Sequence, residues 1–232
     1  EHSIGLDFGD IPGGYGWIFP KGDHLNIGLG GWKYLGPTLR NRLKKLIRFY
    51  GFKPDDLWGV RGYHLPLRQK NSPLSDGNVL LVGDSAGLID PLTGEGIYSA
   101  FRSGISAAKQ IESYLNNEAD NLNGYTRDME NSLIAELRVS RRIHDIFHLY
   151  PTLALQIERR KPVFWKIIAT LMRGDETYLT IKQKLGQAWL LFELISDLVR
   201  VTPQLRHISG LHTPSPPERF FLKNNQRANQ KA

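Results

Sequence analysis

The chain opens on a two-residue alternation. Ile4, Leu6 and Phe8 are interleaved with Gly5, Asp7 and Gly9, the period of a half-buried strand. Pro12-Gly13-Gly14 predicts a turn, and Tyr15-Gly16-Trp17-Ile18-Phe19-Pro20 a second strand. Lys21-Gly22-Asp23 then supplies hairpin chemistry before a third strand over residues 24–31. From Leu39 the period lengthens. Leu39, Leu43, Leu46, Ile47 and Tyr50 recur at three- and four-residue spacing, with Arg40, Arg42, Lys44 and Lys45 on the other side. That is a short amphipathic helix, and Gly51 follows it where a helix C-terminal glycine belongs.

Pro66 and Pro73 keep residues 61–77 extended or looped. The run Asn78-Val79-Leu80-Leu81-Val82 differs in kind, because it is continuously apolar. Such a strand is expected to be buried on both faces, as in a parallel sheet. A loop is predicted from Gly83 to Gly96 and a helix from about Ile97 to Leu115. Beyond Asn123 the pattern is helical, at about 124–149, 152–172 and 176–200, with Pro162 bending or dividing the second of these. The last stretch, with Pro214, Pro216, Pro217 and a polar end, predicts a loose tail. Four segments result: a sheet with one helix (1–77), a strand–loop–helix unit (78–116), a helical region (117–200) and the tail (201–232). The fold class is α/β, and α+β within this stretch of chain.

Composition narrows the picture by exclusion. At 232 residues, 41% hydrophobic and 23% charged, the chain can bury a real core and is not compositionally disordered. It has no cysteine, which excludes disulfides, thiolate metal sites and a cysteine nucleophile. It contains no run of about 18 apolar residues of the kind that crosses a bilayer, and Glu1-His2-Ser3-Ile4 has no signal-peptide pattern. The expected location is cytoplasmic, with room for peripheral contact with a membrane. The net charge of +7 is uneven: from Arg138 onward 16 Lys and Arg stand against 7 Asp and Glu. A basic half fits an anionic surface or a merely solvated face. Nucleic acid is not expected, since these charges are not interleaved with exposed aromatics.

The chemistry concentrates in Gly83-Asp84-Ser85-Ala86-Gly87-Leu88-Ile89-Asp90-Pro91-Leu92-Thr93-Gly94-Glu95-Gly96-Ile97. A carboxylate at the end of a strand, here Asp84, can accept hydrogen bonds from the hydroxyls of a sugar-like chain. Gly94 and Gly96 remove side chains, so that backbone can approach a flat ring. A helix starting near Gly96 aims unpaired N–H groups and the positive end of its dipole at that ring. Alanine, serine and glycine at 100, 103, 104, 107 and 108 allow the helix to pack closely. Ser85 follows Gly-Asp and lacks the elbow motif of a nucleophile. His144 and His148 share a helix face without a third metal ligand, and a packed pair is expected rather than zinc; no metal site is predicted. His64, beside Pro66, is expected to be structural rather than a proton donor facing the cavity, and no general acid is assigned.

The stretch 83–97 resembles the second flavin fingerprint of the aromatic-hydroxylase superfamily. In the form Gly-Asp-Ser-Ala-Gly…Asp-Pro-Leu-Thr-Gly-Glu-Gly-Ile it is similar to that of the geranylgeranyl reductase family of FAD-dependent oxidoreductases. Tyr15-Gly16-Trp17-Ile18-Phe19-Pro20-Lys21, Asn26-Ile27-Gly28-Leu29-Gly30 and Gly62-Tyr63-His64-Leu65-Pro66 resemble that family too. The likeness covers about residues 7–116. It implies part of a three-layer FAD-binding domain, an antiparallel substrate sheet and C-terminal helices. It further implies an enzyme that saturates carbon–carbon double bonds of an isoprenoid chain, with FAD reduced by NAD(P)H or another donor. Carried over, Gly83 and Asp84 would serve the ribityl chain, Asp84 accepting from its hydroxyls. Gly96 and Ile97 would offer N–H groups to the ring, Pro91 and Gly94 would shape the loop, and Tyr15, Trp17 and Phe19 would line the cavity over the ring.

The dinucleotide fingerprint Gly-x-Gly-x-x-Gly of such enzymes is absent, because Gly28-Leu29-Gly30-Gly31 runs into Trp32-Lys33-Tyr34. This predicts the C-terminal portion of a reductase, with roughly 100–200 residues upstream, and a stretch that by itself binds FAD poorly. Two rival functions remain: a monooxygenase or halogenase of the same superfamily, and a non-catalytic helical module that binds a membrane or partner. Trp189, Leu190, Leu191, Phe192, Leu194, Ile195 and Leu198 are apolar almost all round their helix. They predict either an interior helix or one that lines a greasy tunnel or touches lipid, with Arg159-Arg160-Lys161 nearby.

Overall fold

The computed structural model describes residues 4–8, 11–69, 72–149 and 163–201. They form two compact units. One holds the chain up to Gly62 with the helix residues from Asp145; the other holds Tyr63–His144 and the helices that follow Pro162 as far as Ser196.

The first unit is built on an antiparallel sheet, β1 (Gly5–Asp7), β2 (Tyr15–Pro20) and β3 (Leu25–Gly30), in that spatial order. The β2–β3 hairpin closes through Lys21–His24, with the Lys21 N–H donating to the His24 carbonyl at 2.9 Å. Helix α1 (Gly36–Phe49) supplies buried Leu46 and Ile47. It covers one face of the sheet, and Gly16 makes the fit possible: a Cβ there would come 2.9 Å from Leu46 Cδ2. By the alternation of strand side chains, Tyr15, Trp17 and Phe19 belong to the opposite face. Phe8 joins them, 5.5 Å from the Tyr15 ring and 5.2 Å from that of Phe147.

The second unit is mostly helical. Helices α2 (Ile97–Leu115), α3 (Asn123–Asn131) and α4 (Leu133–Leu149) enclose a core of Leu74, Ala86, Leu88, Ala107, Tyr125, Met129 and Leu137. Helices α5 (Val163–Arg173), α6 (Tyr178–Leu185) and α7 (Ala188–Val201) contribute to a second cluster around Leu92, Val139, Tyr178 and Trp189. The expected helix over 124–149 is divided at Ser132, whose hydroxyl donates back to the Asp128 carbonyl at 2.6 Å, a competition that breaks helices. The expected 176–200 helix is divided at Gly186, which has a φ of 51°. Of the expected helix over 152–172, residues 152–162, with Pro162, lie outside the described residues, as does the predicted tail beyond Val201.

The apolar run 78–82 departs from expectation. Only Val79–Leu80 is strand, a two-residue β5 paired antiparallel with β4 (Ser75–Asp76), and Val79 is 60% exposed. Among the described residues there is no parallel strand beside it, so its outer side chains have nothing to bury against. Its inner side is anchored: Leu80 and Leu81 pack on the core, and the buried Tyr125 hydroxyl donates to the Leu81 carbonyl at 2.6 Å. Tyr125→Phe strands that carbonyl while keeping the ring. The expected loss is about 1–3 kcal/mol of unfolding free energy, read by urea denaturation; an unchanged midpoint would show that the bond contributes nothing.

Candidate functional site

The site begins where β5 ends. The chain turns through a short 3₁₀ segment, Gly83–Ala86, and Gly83 adopts a left-handed φ of 54°, which glycine alone enters without cost. Its buried N–H donates to Ser103 Oγ at 2.9 Å, and that hydroxyl donates to the Ser99 carbonyl at 2.7 Å. A Cβ at position 83 would lie 3.0 Å from Ala100 Cβ. The loop therefore rests directly on α2, which explains the run of small residues there.

This close seating brings Asp84 to the start of the same helix. Gly96 is the residue that caps α2, and no side chain caps the helix. A Cβ on Gly96 would stand 2.7 Å from Asp84 Oδ1, so the carboxylate lies against the helix start and the missing side chain makes room for it. Asp84, Gly94 and Ile97 are exposed, and Gly96 and Pro91 are half-buried. Gly94, at φ 72°, completes the turn. An accepting carboxylate thus stands beside a helix start that makes no side-chain cap hydrogen bond, an arrangement suited to a ligand bearing both hydroxyls and acceptor atoms.

All six residues expected at the flavin, Gly83, Asp84, Pro91, Gly94, Gly96 and Ile97, lie on this one loop and helix start. The three expected to line the substrate cavity belong to the first unit. There Tyr15, Trp17 and Phe19 form a row, with ring centroids 6.0 and 6.4 Å apart. Trp17 is held flat across Gly28, its partner in register. A Cβ at 28 would come 2.3 Å from Trp17 Cζ2, and the indole N–H donates to Asn26 Oδ1 at 2.7 Å.

Sequence reasoning missed the residues that hold the loop. Asp90 is the principal one. Its Oδ1 accepts the N–H groups of Leu92 and Thr93 at 2.8 and 3.3 Å and the Ser140 hydroxyl at 2.5 Å. Its Oδ2 accepts the Tyr178 hydroxyl at 2.6 Å. Burial, then the Asp90 charge, push the Tyr178 phenol far above its ordinary value, so it remains a donor. Asp-Pro before a polar turn is Asx-turn chemistry and was the available signal. Arg68 is the other: it donates to the Ala86 and Ser72 carbonyls at 3.3 and 2.7 Å and stands 3.5 Å from Glu130. A cleft of about 300 Å³ opens beside it, lined in part by Pro66, Leu81, Ser85 and Gly87.

The remaining candidates are placed as follows. Ser85 donates to the Val82 carbonyl at 2.7 Å. His64 is exposed, and His144 and His148 are buried. No group of three or more His, Asp or Glu suited to a metal occurs among the described residues. Among the described residues, helix α7 buries Trp189 and leaves Leu190, Leu191 and Leu194 exposed. Arg159, Arg160 and Lys161 lie outside the described residues. No described helix is long and apolar enough to cross a membrane.

Several curated proteins similar in sequence to this chain are named as reductases. No family model matches the chain. The digeranylgeranylglycerophospholipid reductase of Thermoplasma acidophilum is 36% identical over 124 residues, 51% of this chain and 30% of that protein. The menaquinone reductase of Mycobacterium tuberculosis is 34% identical over 113 residues, 45% of this chain and 28% of that one. The geranylgeranyl diphosphate reductase of Rhodobacter capsulatus is 23% identical over 203 residues, 88% of this chain and 49% of that protein. The chain spans between about a quarter and a half of the length of these relatives. Over about half of its own length, the chain is similar to oxidoreductases of the geranylgeranyl reductase type.

Proposed function

We propose that the chain carries the ribityl- and ring-binding part of an FAD site, in an enzyme that reduces carbon–carbon double bonds of a geranylgeranyl-type isoprenoid chain. The observation that carries this reading is the Asp84 carboxylate lying against the start of α2 at Gly96. Asp84 accepts from the ribityl hydroxyls. The N–H groups of Gly96 and Ile97 donate to acceptor atoms on one edge of the ring, where the positive end of the helix favours negative charge. Pro91 and Gly94 shape the loop beside it. Bound FAD, reduced by NAD(P)H or another donor, supplies the reducing equivalents.

The aromatic row supports the isoprenoid half of the proposal. Tyr15, Trp17 and Phe19 make a continuous apolar wall on the sheet face away from α1, and such a wall suits a methyl-branched hydrocarbon better than a polar substrate. Two of the relatives' names carry a geranylgeranyl group and differ in what it is attached to. The proposal accordingly fixes the chain and leaves the head group open. The exposed leucines of α7 add a peripheral lipid contact to the reading.

Asp84→Ala and Gly96→Ala in the full-length protein are each expected to weaken FAD binding roughly 10- to 100-fold, the weight of a hydrogen bond to a charged group. Fluorescence titration checks this, and affinity unchanged in both variants would end the flavin assignment. Reduction of a geranylgeranyl substrate is expected to proceed anaerobically; a strict requirement for oxygen would point instead to the monooxygenase or halogenase chemistry of the superfamily. Liposomes should carry the full-length protein down on centrifugation. Absence of co-sedimentation with both neutral and anionic vesicles would remove the lipid contact.

A further inference from the structure

We infer that Tyr178, which lies well beyond the fingerprint in the C-terminal helices, is a positioning residue for the loop that presents Gly94, Gly96 and Ile97. It acts through the carboxylate of Asp90.

The loop between Ile89 and Ile97 contains no regular element to hold it. Its shape comes from Asp90 twice over. Through the backbone, the Asp90 N–H donates to the Glu95 carbonyl and its own carbonyl accepts the Gly94 N–H, both at 2.8 Å, closing residues 90–95 into a ring. Through the side chain, Oδ1 gathers the Leu92 and Thr93 amides. The aim of that side chain decides where the ring points. Two hydroxyls from elsewhere in the same unit set the aim: Ser140 of α4 on Oδ1 at 2.5 Å and Tyr178 of α6 on Oδ2 at 2.6 Å.

Ser140 and Tyr178 are buried, and Leu92 packs with the Tyr178 ring in one apolar cluster. A carboxylate held at both oxygens by buried hydroxyls cannot rotate without leaving one of them unpaired, which is costly in an apolar setting. Tyr178 thus fixes the second oxygen, and with it the orientation of the turn that ends at Gly96. The tether depends only on these contacts. Its consequence for a cofactor rests on the flavin reading above.

Tyr178→Phe tests this, since it keeps the ring in its cluster and removes one hydroxyl. In the chain itself, amide hydrogen exchange over residues 90–97 is expected to quicken roughly tenfold, while peptides within α2 and α4 stay as in the unaltered protein. Unchanged exchange at 90–97 would overturn the inference. Uniform quickening through α2 and α4 would overturn it as well, because Tyr178 would then be a general stabiliser. In FAD-loaded full-length protein, Tyr178→Phe is expected to release FAD roughly tenfold faster and to displace the flavin absorption band. Ser140→Ala should act in the same direction, and the double variant should add little, as for groups that serve one carboxylate. Release and spectrum unchanged in Tyr178→Phe would overturn the positioning role. If the unaltered full-length protein takes up no FAD, the proposed function falls, while the exchange experiment still decides the tether.

Discussion

The path of the chain from Ile89 to Gly96 depends on one carboxylate, that of Asp90. Four donors converge on it, and they come from the loop itself, from α4 and from α6. A loop of this length would ordinarily sample many conformations, at a cost of about 1–2 kcal/mol per residue to order. Here the ordering is spread over contacts from helices that are themselves packed by Leu92, Val139 and Trp189. The other aspartate of the motif, Asp84, is by contrast exposed and lies where a ligand can reach it. The two acids in one motif do opposite work, one holding the loop and one open to solvent.

Much of this was legible before any coordinates. The hairpin of β2 and β3, helix α1 and the start of α2 at Ile97 all follow from periodicity and from where the glycines fall, because these are local effects. The row of Tyr15, Trp17 and Phe19 was equally readable, since a strand places alternate side chains on one face whatever surrounds it. Non-local contacts were not. Ser140 and Tyr178 reach Asp90 across 50 and 88 residues of sequence, and no local pattern announces such a meeting. Ser132 and Gly186 divide helices that hydropathy runs straight through, because periodicity registers the apolar stripe and not the hydrogen bond that interrupts it.

The strand over 78–82 failed for a different reason. A continuous apolar run states what a segment can bury, not that neighbours are present to bury it. Val79 and Val82 are exposed among the described residues, while Leu80 and Leu81 are packed. The inner half of the expectation held, and the outer half required a sheet that is not found among the described residues.

Two glycines of the first sheet have contrasting uses. Gly16 admits a leucine of α1 on one face, and Gly28 admits an indole ring on the other. The second case couples two positions that sequence separates by eleven. A larger residue at 28 can be accommodated only if the residue at 17 becomes smaller or turns away, and Asn26 then loses the indole N–H it now receives. The relief of that aromatic face is therefore a joint property of strands β2 and β3, and its depth can change only by compensating exchanges across the hairpin.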